Sequence, residues 1–269
     1  GSITLAGGLR LDVDTAVDLS TGNDVDSLAV AISGTGTLEF GDTDGLTVTT
    51  VDTTTGVTSN ASNISITAGG DDSVLTVSQA ITTGGGADTS SVTLTADKMT
   101  IGAGVTTGTN GIATLAPEST ADAGDAIDLG GADATNTLGL TDAELDLVTA
   151  TTLRIGATNA GAITVSAAVS PGSVTNLSLL SDAGIGDNLN AGSITVTNLR
   201  LDVDTAVDLS TGNDVDTLAV NVADASNALT FGDTDGLTVG VVDGTTGVTT
   251  NNAQVDLTGG ANGTLTISS

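Results

Sequence analysis

Short runs in which an aliphatic residue alternates with Thr or Ser recur along the chain: ITL (3–5), LTV (46–48), ISIT (64–67), VLTV (74–77), VTLT (92–95), ITVS (163–166), LSLL (177–180) and ITVT (194–197). A period of two puts the aliphatics on one side of an extended backbone and the hydroxyls on the other, which is the pattern of a half-buried strand. Gly, Asn, Asp and Ser collect between these runs, as in TGND (21–24) and TAGGDDS (67–73), and supply turn chemistry. The pattern therefore predicts an all-β chain of short strands and frequent turns. One helix candidate breaks it, TDAELDLVTA at 141–150, where Thr141 and Glu144 have capping-box spacing.

The same pattern is duplicated at long range. RLDVDTAVDLSTGNDVDSLAV (10–30) returns as RLDVDTAVDLSTGNDVDTLAV (200–220), a match of 20 in 21 broken by Ser27 against Thr217. FGDTDGLTV (40–48 and 231–239), VDTTTGVT against VDGTTGVT (51–58 and 242–249), GSIT (1–4 and 192–195) and GGDDSVLTVS against GGANGTLTIS (69–78 and 259–268) extend it. The chain thus divides into a first super-repeat, 1–191, and the start of a second, 192–269, continuous with the first.

Composition then limits what those strands can build. The chain has 33 acidic and 4 basic residues, a net charge of −29, yet its mean hydropathy is +0.28, so it is expected to fold and not to behave as an acidic tail. It has no Cys, His, Trp or Tyr, and its aromatics are Phe40 and Phe231, which makes a thick two-sheet sandwich core a poor fit. A parallel β-helix needs only a narrow interior of Val, Ile, Leu, Ala and Thr, with Asp, Asn and Thr at its corners. Coils of roughly 20 residues at ~4.8 Å spacing give about 13 coils, a rod about 60 Å long and about nine coils per super-repeat. No apolar stretch is long enough to span a membrane, so no membrane insertion is expected. Gly1 reads as the start of a mature or internal fragment.

Particular segments carry a resemblance. TNTLGLTDAELDLVTATTLRIGATNAGAITVSAAVSPGSVTNLSLLSDAGI (135–185) looks like the repetitive shaft of filamentous-haemagglutinin-like exoproteins, and NDVDSLAVAISGTGTLEFGDTDGLTV (23–48) and VDGTTGVTTNNAQVDLT (242–258) look like shaft repeats of the same giant bacterial adhesins. The resemblance implies a right-handed parallel β-helix, secreted to the cell surface or extracellular matrix and serving adhesion, aggregation or biofilm structure.

Candidate chemistry is confined to carboxylates. In GDTDG (41–45) and its copy at 232–236, carboxylates two residues apart sit on a glycine turn, so Asp42, Asp44, Asp233 and Asp235 are candidate Ca²⁺ ligands. The other reading is that Asp fills turns and keeps an aliphatic rod soluble. Catalysis is not expected, because Arg10, Lys98, Arg154 and Arg200 are the sole cations and there is no His or stacking aromatic set for sugar chemistry. A surface at −29 repels phosphate, so nucleic acid is not an expected partner. Two roles fit: the shaft of a surface adhesin, or the subunit of a self-assembling extracellular filament. GSITLAGGL (1–9) and GTLTISS (263–269) read as ordinary strand sequence, so further repeats or copies of the chain are expected to stack on the ends.

Overall fold

A computed structural model describes residues 1–84, 88–118, 124–188, 191–261 and 263–268. It is a parallel β-helix. One ladder can be followed partner by partner from Val17 through Leu38, Ile64, Val92, Ala113, Leu153, Leu177, Leu199, Leu218 and Val239 to Ile267, always in parallel register. Ten steps at ~4.8 Å give a rod about 50 Å long. A second ladder runs from Leu9 through Leu28, Val48 and Val77 to Ile101, and resumes from Leu138 through Ile127, Ile163, Ile185, Val207 and Leu229 to Val255.

The alternation read from sequence decides which side chains enter the core. Ile64 and Ile66 in the strand Ile64–Ala68, and Val92 and Leu94 in Val92–Thr95, are buried, while Ser65 and Thr93 between them are not. The interior is a continuous column of aliphatics holding Phe40 and Phe231, so each coil covers the apolar face of the one before. Each Phe lies between an aliphatic on either side: Phe40 between Leu19 and Ile66, Phe231 between Leu209 and Leu257.

Coils are longer and less even than the expected 20 residues. Successive partners on the first ladder lie 19 to 28 residues apart, except Ala113 and Leu153, which lie 40 apart. Two causes are visible. Hairpins are spliced into some coils, Thr50–Val51 with Thr54–Thr55 and, in the second copy, Val241–Val242 with Thr245–Thr246. The long coil carries extra elements, the strands Ala126–Leu129 and Thr137–Leu140 and the helix Asp142–Leu145. Here the chain runs out of axial order: Thr137–Leu140 lies against Lys98–Ile101 and pairs with Ala126–Leu129, which in turn pairs with Ile163–Val165. The later strand fills the earlier level. The helix is shorter than the segment 141–150 that suggested it, and the Glu144 carboxylate accepts both the Thr141 N–H (3.0 Å) and hydroxyl (2.7 Å) as the spacing implied.

Because of the longer coils, a super-repeat spans seven coils and part of an eighth, and not nine: Val17 reaches Leu199 in seven steps, and Val207, the counterpart of Val17, lies further on and on the other ladder. Equivalent segments of the two copies thus keep their local pairing while facing different sides of the rod.

Candidate functional site

The repeated corner is built first by glycine and asparagine. Gly22 and Gly212 hold φ of +73° and +79°, a region open to glycine, and turn the chain so that Asn23 and Asn213 point inward. The Asn23 amide donates to the carbonyls of Leu19 (2.6 Å) and Gly41 (2.9 Å) and its Oδ1 accepts the Ile3 N–H (3.1 Å). Asn213 repeats this with Leu209 (2.9 Å), Gly232 (3.0 Å) and Ile194 (3.0 Å). Each Asn therefore ties three coils together from inside. The glycine of the neighbouring FGDTDG is fixed by close approach, since a Cβ on Gly41 or Gly232 would sit 2.2 or 2.0 Å from the carbonyl oxygen of Ser20 or Ser210.

The candidate metal ligands lie on this corner. Asp42 is buried, its Oδ2 accepting the Val25 N–H (3.0 Å) and its Oδ1 the Asp44 N–H (3.3 Å); Asp233 does the same with Val215 (3.2 Å) and Asp235 (3.5 Å). Burial pushes the Asp42 carboxyl up to about 6, against the lowering effect of those two amides, and Asp233 is raised for the same reason. Asp44 and Asp235 lie two residues further along the turn, each donating its N–H to the preceding carboxylate. The first carboxylate of each pair thus staples one coil to the next. A cation there would compete with backbone amides, and among the described residues no group of three or more Asp or Glu side chains is arranged to hold a metal.

A second acidic cluster lies where the long coil departs. Asp97 is 2% exposed, accepts the N–H of Glu118 (3.1 Å) and of Asp72 (2.9 Å), and shares a hydrogen bond with the buried Asp125. Burial, then Asp125, then the Glu118 charge raise its pKa to about 7. Asp72 itself is held below the ordinary carboxylate range by Lys98, 2.8 Å away, and by the Asn136 N–H. These contacts tie the departing chain to the coil beneath.

The third arrangement is an arginine clamp. Arg154, Ser178 and Arg200 stack in register on successive coils of the first ladder. The hairpin Val241–Thr246 folds back over them, and Asp243, at φ +45°, receives Arg154 through two hydrogen bonds (2.8 and 2.7 Å), Ser178 (2.7 Å) and Arg200 (3.4 Å). Burial opposes the charge of Asp243, and Arg154, Ser178 and Arg200 outweigh it, so its pKa is lowered; that of Arg154 is raised in return. Arg200 also bonds Thr245 (2.7 Å) and Asp202.

Sequence reasoning put all four corner aspartates on a turn; Asp44 and Asp235 lie there, whereas Asp42 and Asp233 end the strands Leu38–Asp42 and Leu229–Asp233, and the asparagine staples, the Asp97 cluster and the clamp were not found. Arg154 and Asp243 are 89 residues apart, and nothing local links them. A signal existed: in a chain with four cations, Arg10 and Arg200 recur together with a VDxTTG hairpin that begins 41 residues later in the first copy and 42 in the second. A shallow hollow lined by Thr106, Thr107, Thr109, Thr149, Thr151 and Thr175 carries no titratable group. Among the described residues no helix is long and apolar enough to cross a membrane.

No family model, curated protein or solved structure matches the chain.

Proposed function

We propose that the chain is a length of structural shaft from a secreted bacterial surface adhesin, serving adhesion, aggregation or biofilm, and that it is not an enzyme. The observation that carries this reading is the junction between the two super-repeats. Leu177, Leu199 and Leu218 pair across it in the same parallel register as coils within a repeat, and all three are fully buried. A fold that passes from one repeat to the next without interrupting its ladder or core can be lengthened indefinitely, which suits a spacer. The four cations agree, because each is spent on an ion pair between segments of the scaffold: Arg10 with Asp52, Lys98 with Asp72, Arg154 and Arg200 with Asp243. The acidic exterior keeps such rods apart and soluble.

Antibody against this chain, used in negative-stain microscopy of the producing cells, tests the reading. Surface rods much longer than about 50 Å, lost together with adhesion when the gene is deleted, are expected. Labelling confined to the cell interior would overturn it. A mature product close to this chain in size, polymerising end to end when purified, would instead select the role of a filament subunit.

A further inference from the structure

The hairpin that closes the clamp occurs twice, and only one copy is filled. In the second copy Asp243 is 9% exposed and holds Arg154, Ser178 and Arg200. In the first, the hairpin Thr50–Thr55 has the same fold-back, with Asp52 at φ +54°, and Arg10 makes the same bond to Thr54 (2.6 Å) that Arg200 makes to Thr245. Yet Asp52 is 69% exposed and has Arg10 at 3.6 Å. The coil around it is uncovered on the same side. Leu5 is 42% exposed against 8% for its counterpart Val196, and Leu9, Leu11 and Val13 are half-buried where Leu199, Leu201 and Val203 are buried.

Two earlier coils cover the second copy. Val174–Ser181 pairs with Ser193–Val203 and brings Ser178 beneath Arg200, and Val148–Gly156, one coil further, brings Arg154. We infer that the face formed by Leu5, Leu9, Leu11, Arg10 and Asp52 is an interaction surface for the closing coils of another super-repeat in tandem, which insert a serine and then an arginine under Arg10 so that Asp52 becomes the buried centre of a second clamp. The occupant is specified by charge as well as shape: it carries a guanidinium to an exposed carboxylate. The outermost strands at the opposite end, Val255–Thr258 and Leu265–Ile267, carry no Arg or Lys, so direct stacking of that end on this face leaves the clamp unfilled. One difference is built in. Gly8 stands where the second copy has Asn198, under a bulge between Leu5 and Gly8 that lets Val51 close over it.

This rests on the chain being repeat-built shaft, but its test needs no adhesion. Residues 148–191 are fused in register ahead of Gly1 of the full chain, and Asp52→Asn and Asp243→Asn are compared in fused and unfused protein by thermal melting. In the unfused chain Asp243→Asn is expected to lower Tm by several degrees and Asp52→Asn to leave it unchanged; in the fusion the two losses become similar. Amide exchange at Leu9 to Val13 is expected to slow at least tenfold on fusion. A fusion whose added segment stays unprotected, or in which Asp52→Asn remains silent, overturns the inference. So does an unfused chain that polymerises end to end and in which Asp52→Asn weakens the polymer. Cells that show no surface shaft would sink the functional reading and leave this result standing.

Discussion

The first and second copies of RLDVDTAVDLSTGNDVD have the same residues and the same backbone path, and different environments. Leu201 is fully buried and Leu11 half-buried; Asp243 sits under two arginines and Asp52 in water. The opposite end repeats the lesson with the contrast reversed: Ile64, Leu75 and Val77 are buried beneath the next coil, while their counterparts Val255, Leu265 and Ile267 are 44–64% exposed. In a repeat fold each coil contacts mainly its neighbours, so burial is a property of the stack and not of the segment. Near-identical sequences here have unequal burial, and the chain contains its own control.

The contrast can be broken most forcefully in the core. Leu201→Ala removes a fully buried side chain and is expected to cost about 2–5 kcal/mol, whereas Leu11→Ala, at the same repeat position, is expected to cost less than half as much. Denaturant unfolding of the two variants checks this, and equal losses would mean that the first coil is as well covered as the second.

The clamp gives the next effect. Asp243→Asn removes a carboxylate that accepts charged hydrogen bonds from two arginines, an expected loss of about 1.5–3 kcal/mol, reduced somewhat because Arg154 is a third exposed. Asp52→Asn is expected to do nothing measurable in this chain. A double-mutant cycle of Asp243→Asn with Arg154→Gln isolates the pair.

Acidity separates the corners from the clamp. The Asp97 and Asp42 carboxyls have folded pKa values raised to about 7 and about 6, above the ordinary 3.8, so each favours folding when protonated. Their contribution is full below about pH 4 and is lost as pH rises through 6 to 7. Tm is therefore expected to rise by roughly 2–4 °C per kcal/mol gained as pH falls from 8 to 5, and Asp97→Asn to flatten the upper part of that rise. Asp243 has the opposite sign, its lowered pKa giving stability that persists until strongly acid pH. A Tm that falls between pH 8 and 5 would contradict the assignment.

The smallest effect concerns metal. Because Asp42 and Asp233 are already engaged by backbone amides, excess chelator is expected to leave the melting curve unchanged. A drop of several degrees would return Ca²⁺ to the corners.

The sequence told much of this in advance, for a physical reason. Period-two alternation maps directly onto inside and outside in any strand, so the inward placement of Ile64, Ile66, Val92 and Leu94 was legible, and so was the capping contact of Thr141 with Glu144, which spans three residues. Coil length was not legible, because a hairpin such as 50–55 reads as two more strands and does not announce that it leaves the stack. Nor was the out-of-order pairing of Ala126–Leu129 with Thr137–Leu140, since both strands satisfy the same pattern at either level. The clamp depends on which residues lie one coil apart, and that follows only once each coil's length is known.

Amide hydrogen exchange across the two copies tests the central claim most directly. Peptides reaching into the differing flanks, Gly7-Gly8 in one and Thr197-Asn198 in the other, distinguish Leu9–Val13 from Leu199–Val203, whose sequences are the same, so that the amides from Arg10 and Arg200 onward share their intrinsic exchange rates. The stacked coil at 199–203 is expected to exchange orders of magnitude more slowly than the outer coil at 9–13, and Leu75–Val77 more slowly than Leu265–Ile267. Equal protection of the two copies would contradict a β-helix in which neighbours, and not sequence, set the stability of each coil.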